Sequence, residues 1–222
     1  MEGVLLTALG ASAVAAWGMT LWSSRGRSSV TCESLQRLGH ELGLKHNPER
    51  MLATNAHGDG ELRQVGVGRL SGSIDALPVQ VKVSSVCTGV APLHNIQSTV
   101  HLKPALTCPV HIQSEGALAS LQKRAGAQDI LVGDQPFDDH FLIQGEDEDA
   151  VKTLLTEDLR RRLLAFTRQH GEVTLTSTQI HFATQTLGGN IDDMRDAIEA
   201  QVSLARMLTG RELITPAKPL PH

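Results

Sequence analysis

Hydrophobic and polar positions along the chain fall into two regimes, one unbroken and one alternating. From Gly3 to Trp22 no charged residue interrupts a run of apolar and small side chains. About 20 residues rising about 1.5 Å each reach across the hydrocarbon core of a bilayer. Trp17 and Trp22 crowd the C-terminal end of the run, where indole rings favour the membrane interface, and Arg25 and Arg27 follow directly. The pattern predicts a transmembrane anchor over residues 1–22, with Val4, Leu5, Leu6, Leu9, Val14, Trp17, Leu21 and Trp22 facing lipid. Only Glu2 and the terminal amine precede the run, whereas Arg25, Arg27, Arg37 and Lys45 follow it. That bias places the rest of the chain in the cytoplasm. The alternative is a periplasmic domain, reached by inverted insertion or by signal cleavage near Ala11, Ala13 and Ala15; the basic start typical of signal peptides is missing.

Residues 23–61 read as a juxtamembrane connector, a helix and a loop. The helix starts at Thr31, carries Leu35, Leu38 and Leu42 on one face and closes at Gly43; Asn47 to Glu61 is polar and glycine-rich. Residues 62–210 then alternate. Val65, Val67, Leu70 and Ile74 lead to a turn near Asp75, after which Val79, Val81 and Val83 interleave with Gln80 and Lys82. Ile96, Ser98, Val100 and Leu102 repeat the pattern, and Val110 and Ile112 shorten it. Strands polar on one side imply an antiparallel sheet with one face packed.

Leu118 and Leu121 suggest a short helix, and Phe137 to Gln144 another strand. A helix near Asp149 to Leu155 follows, then a longer one capped by Thr156 with Leu159, Leu163 and Phe166 in a stripe, ending at Gly171. Val173, Leu175, Ile180 and Phe182 predict a two-stranded ribbon turning near Ser177. Asn190 caps a last amphipathic helix that runs to Gly210, and the Pro-rich residues 211–222 read as a disordered tail. The expected fold class is α+β: an N-terminal transmembrane helix, then a mainly antiparallel sheet packed against two or three helices.

Composition narrows the function. The chain is 41% hydrophobic but 3% aromatic, without tyrosine, and carries a formal net charge of -4. Neither a base-stacking platform nor a basic field is present, which argues against nucleic acid. Cys32, Cys87 and Cys108 match no metal knuckle and read as free thiols, with a Cys87–Cys108 disulfide as the alternative outside the cytoplasm. Gly66, Gly68 and Gly72 have dinucleotide-loop flavour, but another strand follows them where a phosphate site needs a helix N-terminus. They fit a twisted or bulged strand that another backbone can approach.

Asp138, Asp139 and His140 combine oxygen and imidazole donors and are the metal candidates, and through them a metal-dependent hydrolase is the alternative function. In a strand Asp138 and His140 share a face that Asp139 does not, so convergence is not built in. His94, His101 and His111 read as exposed, with His101 and His111 able to meet if their strands are neighbours. Glu146, Asp147, Glu148 and Asp149 fit a helix start, and Arg160, Arg161 and Arg162 a solvated helix face. No catalytic residue and no cofactor is assigned.

Phe137-Asp138 with Phe141 and Ile143, Gly145-x-Asp147, Leu154-Leu155-Thr156, and Leu159-Arg160 with Leu163-Leu164 together resemble an uncharacterised family of bacterial single-span membrane proteins. The Val173 to Phe182 strand pair and the terminal helix follow as they do there. The likeness covers Phe137 to Leu208 well and Leu62 to Leu208 loosely. It implies an N-terminal anchor and a soluble α+β domain, and no activity. The reading is a membrane-anchored, non-enzymatic interaction or scaffold domain, with the bilayer and an unnamed protein as partners and homo-oligomerisation left open.

Overall fold

Period-two alternation along the middle of the chain builds a single sheet with most of its buried apolar side chains on one face. A computed structural model of the chain describes residues 30–48, 63–87, 92–114 and 130–210. Its strands are β1 (Lys45–Asn47), β2 (Arg63–Ile74), β3 (Leu77–Cys87), β4 (Pro92–His101), β5 (Val110–Ser114), β6 (Phe141–Gly145), β7 (Glu172–Thr176) and β8 (Gln179–Leu187). Its helices are α1 (Cys32–Glu41), α2 (Gln135–Asp138), α3 (Glu148–Leu154), α4 (Glu157–His170) and α5 (Ile191–Leu208). The class is α+β, with an eight-stranded sheet in the order β1-β2-β3-β4-β8-β7-β5-β6, antiparallel at every pairing.

The caps expected at Thr156 and Asn190 are in place, and Thr31 adds a third. Thr31 and Ser34 exchange side-chain to backbone hydrogen bonds at 3.1 and 2.8 Å at the start of α1. The Thr156 hydroxyl accepts from Leu159 N at 3.4 Å, and Asn190 Oδ1 from Asp192 N at 3.1 Å. Asp75 and Ala76, both at positive φ, make the two-residue turn between β2 and β3.

The three longer helices lie on one face. Val79, Val81 and Val83 of β3, Ile96 and Val100 of β4, and Ile180 and Phe182 of β8 are buried beneath them. Phe166 of α4 meets Phe182 edge-on at 5.4 Å, and Gln201 of α5 bonds Ser98 of β4. On the opposite face the register places Gln80, Thr99, His181, Thr174 and Gln113 side by side across five strands.

Three expectations are corrected. Asn47 belongs to a strand, because the β2 glycines admit β1: a Cβ on Gly68, whose φ is 146°, would stand 2.7 Å from His46 Nε2 and 3.2 Å from the Asn47 carbonyl. The strand expected from Phe137 starts only at Phe141, because Pro136 favours a first helical turn and residues 135–138 form α2. The histidine placement is the third and is taken up with the site. The predicted span over residues 3–22, most of the Asn47 to Glu61 loop, the helix at Leu118 and Leu121 and the 211–222 tail lie outside the described residues. Among the described residues no helix is long and apolar enough to cross a membrane.

Candidate functional site

The candidate metal triplet is divided among three structural tasks. Asp138 ends α2 and turns its carboxylate back on the chain, accepting from Val132 N and Gly133 N at 3.0 Å each. Asp139 is the C-cap of that helix and is exposed. His140 turns to α4, where its Nε2 lies 3.1 Å from the Thr167 hydroxyl, and its ring meets Phe141 edge-on at 5.2 Å. Residues in a tight turn fan outward, so adjacency in sequence becomes divergence in space. Among the described residues no three His, Cys, Asp or Glu side chains are grouped to hold a metal ion.

The histidines differ from expectation in two ways. His94 is buried, at 2% exposed, because it shares the inward register of Ile96, Ser98 and Val100. Its Nδ1 lies 2.6 Å from the Ser85 hydroxyl while its Nε2 has no hydrogen-bond partner among the described residues, and desolvation pushes its pKa below the usual histidine value. His101 and His111 share the outer face, but β8 and β7 stand between their strands, a separation of about 14 Å at three strand spacings. They do not meet. His181, which the sequence reading passed over, lies 3.1 Å from the Thr99 hydroxyl, and burial lowers its pKa as well.

The charge runs serve the helices. Asp147 caps α3 by accepting from Ala150 N at 3.0 Å, and Glu148 pairs with Lys152 at 2.7 Å. Arg160 is the structural member of its triplet: Nε donates to Asp134 at 2.9 Å and Nη1 to the Leu155 carbonyl at 2.6 Å, fastening α4 to the start of α2. Arg161 and Arg162 both pair with Asp158, whose carboxyl is held below its ordinary range by those hydrogen bonds, Arg162 first. Cys32 and Cys108 are free thiols, so Cys108 forms no disulfide with Cys87.

What the fold does assemble is a groove of about 480 Å³ at one end of the sheet. Its walls are the β4–β5 connection, α3 and the last turn of α5, with Leu106, Leu154 and Leu208 partly buried against the core beneath it. No motif signalled it, since its walls come from three distant segments. Burial pushes the Cys108 thiol on its wall above the usual value, and the carboxylates of Asp147 and Glu146 add to that shift, so the thiol is not an activated nucleophile.

No protein-family model matches the chain, and no curated protein matches it. Among solved structures the chain is similar to the mycobacterial trehalose monomycolate transport factor A, TtfA, with 12% identity and a TM-score of 0.39 over 86% of this chain and 98% of that one. At that level the likeness transfers no function.

Proposed function

We propose that the chain is a membrane-anchored interaction domain, held at the cytoplasmic surface by residues 3–22 and doing its work by docking another protein. The observation that carries this reading is the uncharged run from Gly3 to Trp22 with Arg25 and Arg27 directly after it, set close before a buried, hydrogen-bonded Val30. Val30 is 4% exposed, its N–H donates to the Gly189 carbonyl at 3.2 Å, and Thr31 immediately caps α1. Val30 stands eight positions after Trp22, the last residue of the apolar run. At about 3.3 to 3.6 Å per residue those eight positions reach at most about 29 Å. A domain on so short a lead is confined to the membrane surface, with the Val30 and Gly189 end nearest the bilayer. The arginines after the run and the resemblance of Phe137 to Leu208 to anchored single-span proteins support the same reading.

The test is fractionation of the full chain in a bacterial host, with and without residues 3–22, together with C-terminal reporters. Retention in the membrane after alkaline extraction, release on deleting 3–22, and a fluorescent cytoplasmic reporter are expected. Activity of a C-terminal alkaline phosphatase would reverse the topology, and a chain that stays in the supernatant would remove the anchor.

A further inference from the structure

We infer that the groove between the β4–β5 connection, α3 and the end of α5 is the docking site for a partner protein, and that it takes a short segment with two or three aliphatic side chains flanked by lysine or arginine. This rests on the interaction-domain reading above and adds a place and a chemistry to it.

Shape and apolarity come first. A groove of about 480 Å³ over Leu106, Leu154 and Leu208 accommodates a few aliphatic side chains and is partly open to solvent rather than enclosed. Charge selects the occupant. Glu146, Asp147 and Asp149 are exposed beside it, and the first two lie close enough to bear on the Cys108 thiol of its wall. Among the described residues the neighbouring cations are largely spent: Lys152 pairs with Glu148 and Arg206 with Asp75, leaving Lys103 exposed on the connection. Among the described residues, three carboxylates against one ammonium leave a net negative rim, which attracts basic side chains and repels phosphate headgroups or acidic peptides.

Position agrees. The 18 residues of α5 run from Ile191, whose cap Asn190 follows Gly189 beside Val30, to Leu208 in the groove wall, a length of about 27 Å. The groove thus sits at the far end of the domain from the tether, open to a protein and turned away from lipid.

The experiment is peptide-display selection on the full chain in nanodiscs, followed by fluorescence anisotropy of the recovered peptide on the wild type, Thr153→Arg and Glu146→Lys. Thr153 and Glu146 are exposed, so both variants are expected to keep the wild-type melting temperature. Recovered sequences should pair Leu, Ile or Met with Lys or Arg, and binding should weaken at least about tenfold in Thr153→Arg and about threefold in Glu146→Lys, the latter loss shrinking with added salt. No enrichment, an acidic consensus, or equal binding by Thr153→Arg would overturn the proposal. So would a groove occupied otherwise: Thr153-dependent binding of phospholipid vesicles, Thr153-dependent self-association on dilution, or peptide binding that appears only once residues 211–222 are removed. If a membrane protein crosslinks to the chain equally in wild type and Thr153→Arg, the groove proposal falls while the interaction-domain reading stands.

Discussion

Gln201 of α5 and Ser98 of β4 hold each other through two hydrogen bonds inside the core. The Ser98 hydroxyl donates to Gln201 Oε1 at 2.6 Å, and Gln201 Nε2 donates to the Ser98 carbonyl at 3.2 Å and to the Ile180 carbonyl at 2.8 Å. Both residues are buried, Gln201 at 0% and Ser98 at 1% exposed. A buried amide with all these partners is stabilising, and removing it strands the serine. Gln201→Leu is expected to cost about 1 to 3 kcal/mol, and adding Ser98→Ala to recover part of that, since a pair removed together leaves no orphan. Chemical denaturation of the two single variants and the double variant measures it; strictly additive losses would mean the pair is uncoupled.

Gly145 has no room for a side chain. A Cβ there would stand 2.6 Å from Val151 Cγ2 and 3.2 Å from the Pro109 carbonyl, and Val151 is fully buried. Gly145→Ala is expected to destabilise by about 1 to 3 kcal/mol through overpacking. Val151→Ala in the same chain should relieve part of the clash, so the double variant should unfold at a higher temperature than the sum of the two predicts.

Asp138 acts as a turn-holding carboxylate. Asp138→Asn keeps the shape but weakens the two hydrogen bonds to Val132 N and Gly133 N, and a loss of about 1 to 2 kcal/mol is expected. Millimolar zinc, manganese or magnesium should leave the melting temperature of the wild type unchanged. A metal-dependent rise that Asp138→Asn abolishes would return the triplet to the metal reading.

Acidification should weaken the fold through its buried histidines. Desolvation lowers the pKa of His94, and of His170 with partial opposition from Asp196, below the unfolded value of 6.5. A depressed folded pKa means the unfolded chain takes up the proton first. Stability is therefore complete above about pH 6.5 and falls as pH drops from there toward the folded pKa values, by at most about 1.4 kcal/mol per pH unit for each histidine. Thermal unfolding between pH 8 and 5 should show the decline, and His94→Gln should flatten it; an unchanged slope in that variant would clear His94 of the effect.

Much of this architecture is legible locally. Thr31, Thr156 and Asn190 announce their helices because a cap is a property of three or four consecutive residues. Val79, Val81 and Val83 announce a half-buried strand for the same reason. What escapes is whatever depends on distant partners. Pro136 was a signal for α2 that the surrounding alternation of Phe137, Phe141 and Ile143 masked. His94 reads as polar, yet parity with Ile96 puts it inside. Gln201 sits on the stripe of Met194, Ile198 and Ala205, but only the Ser98 and Ile180 carbonyls explain it. The groove is further still from the sequence, since Leu106, Leu154 and Leu208 become neighbours only after the sheet closes.

That closure has a consequence for how the chain folds. β1 to β4 pair with near neighbours in sequence, and so do β7 and β8, but the join between β4 and β8 pairs His101 with Gln179. Bringing such distant segments together carries the larger loop-closure entropy, so local hairpins are expected to form early and this seam late. Gln201 touches a carbonyl on each side of it, Ser98 in β4 and Ile180 in β8. The last helix therefore works as a clasp on the slowest seam, and Gln201→Leu should speed hydrogen exchange along β4 and β8 before it does so in the β2–β3 hairpin.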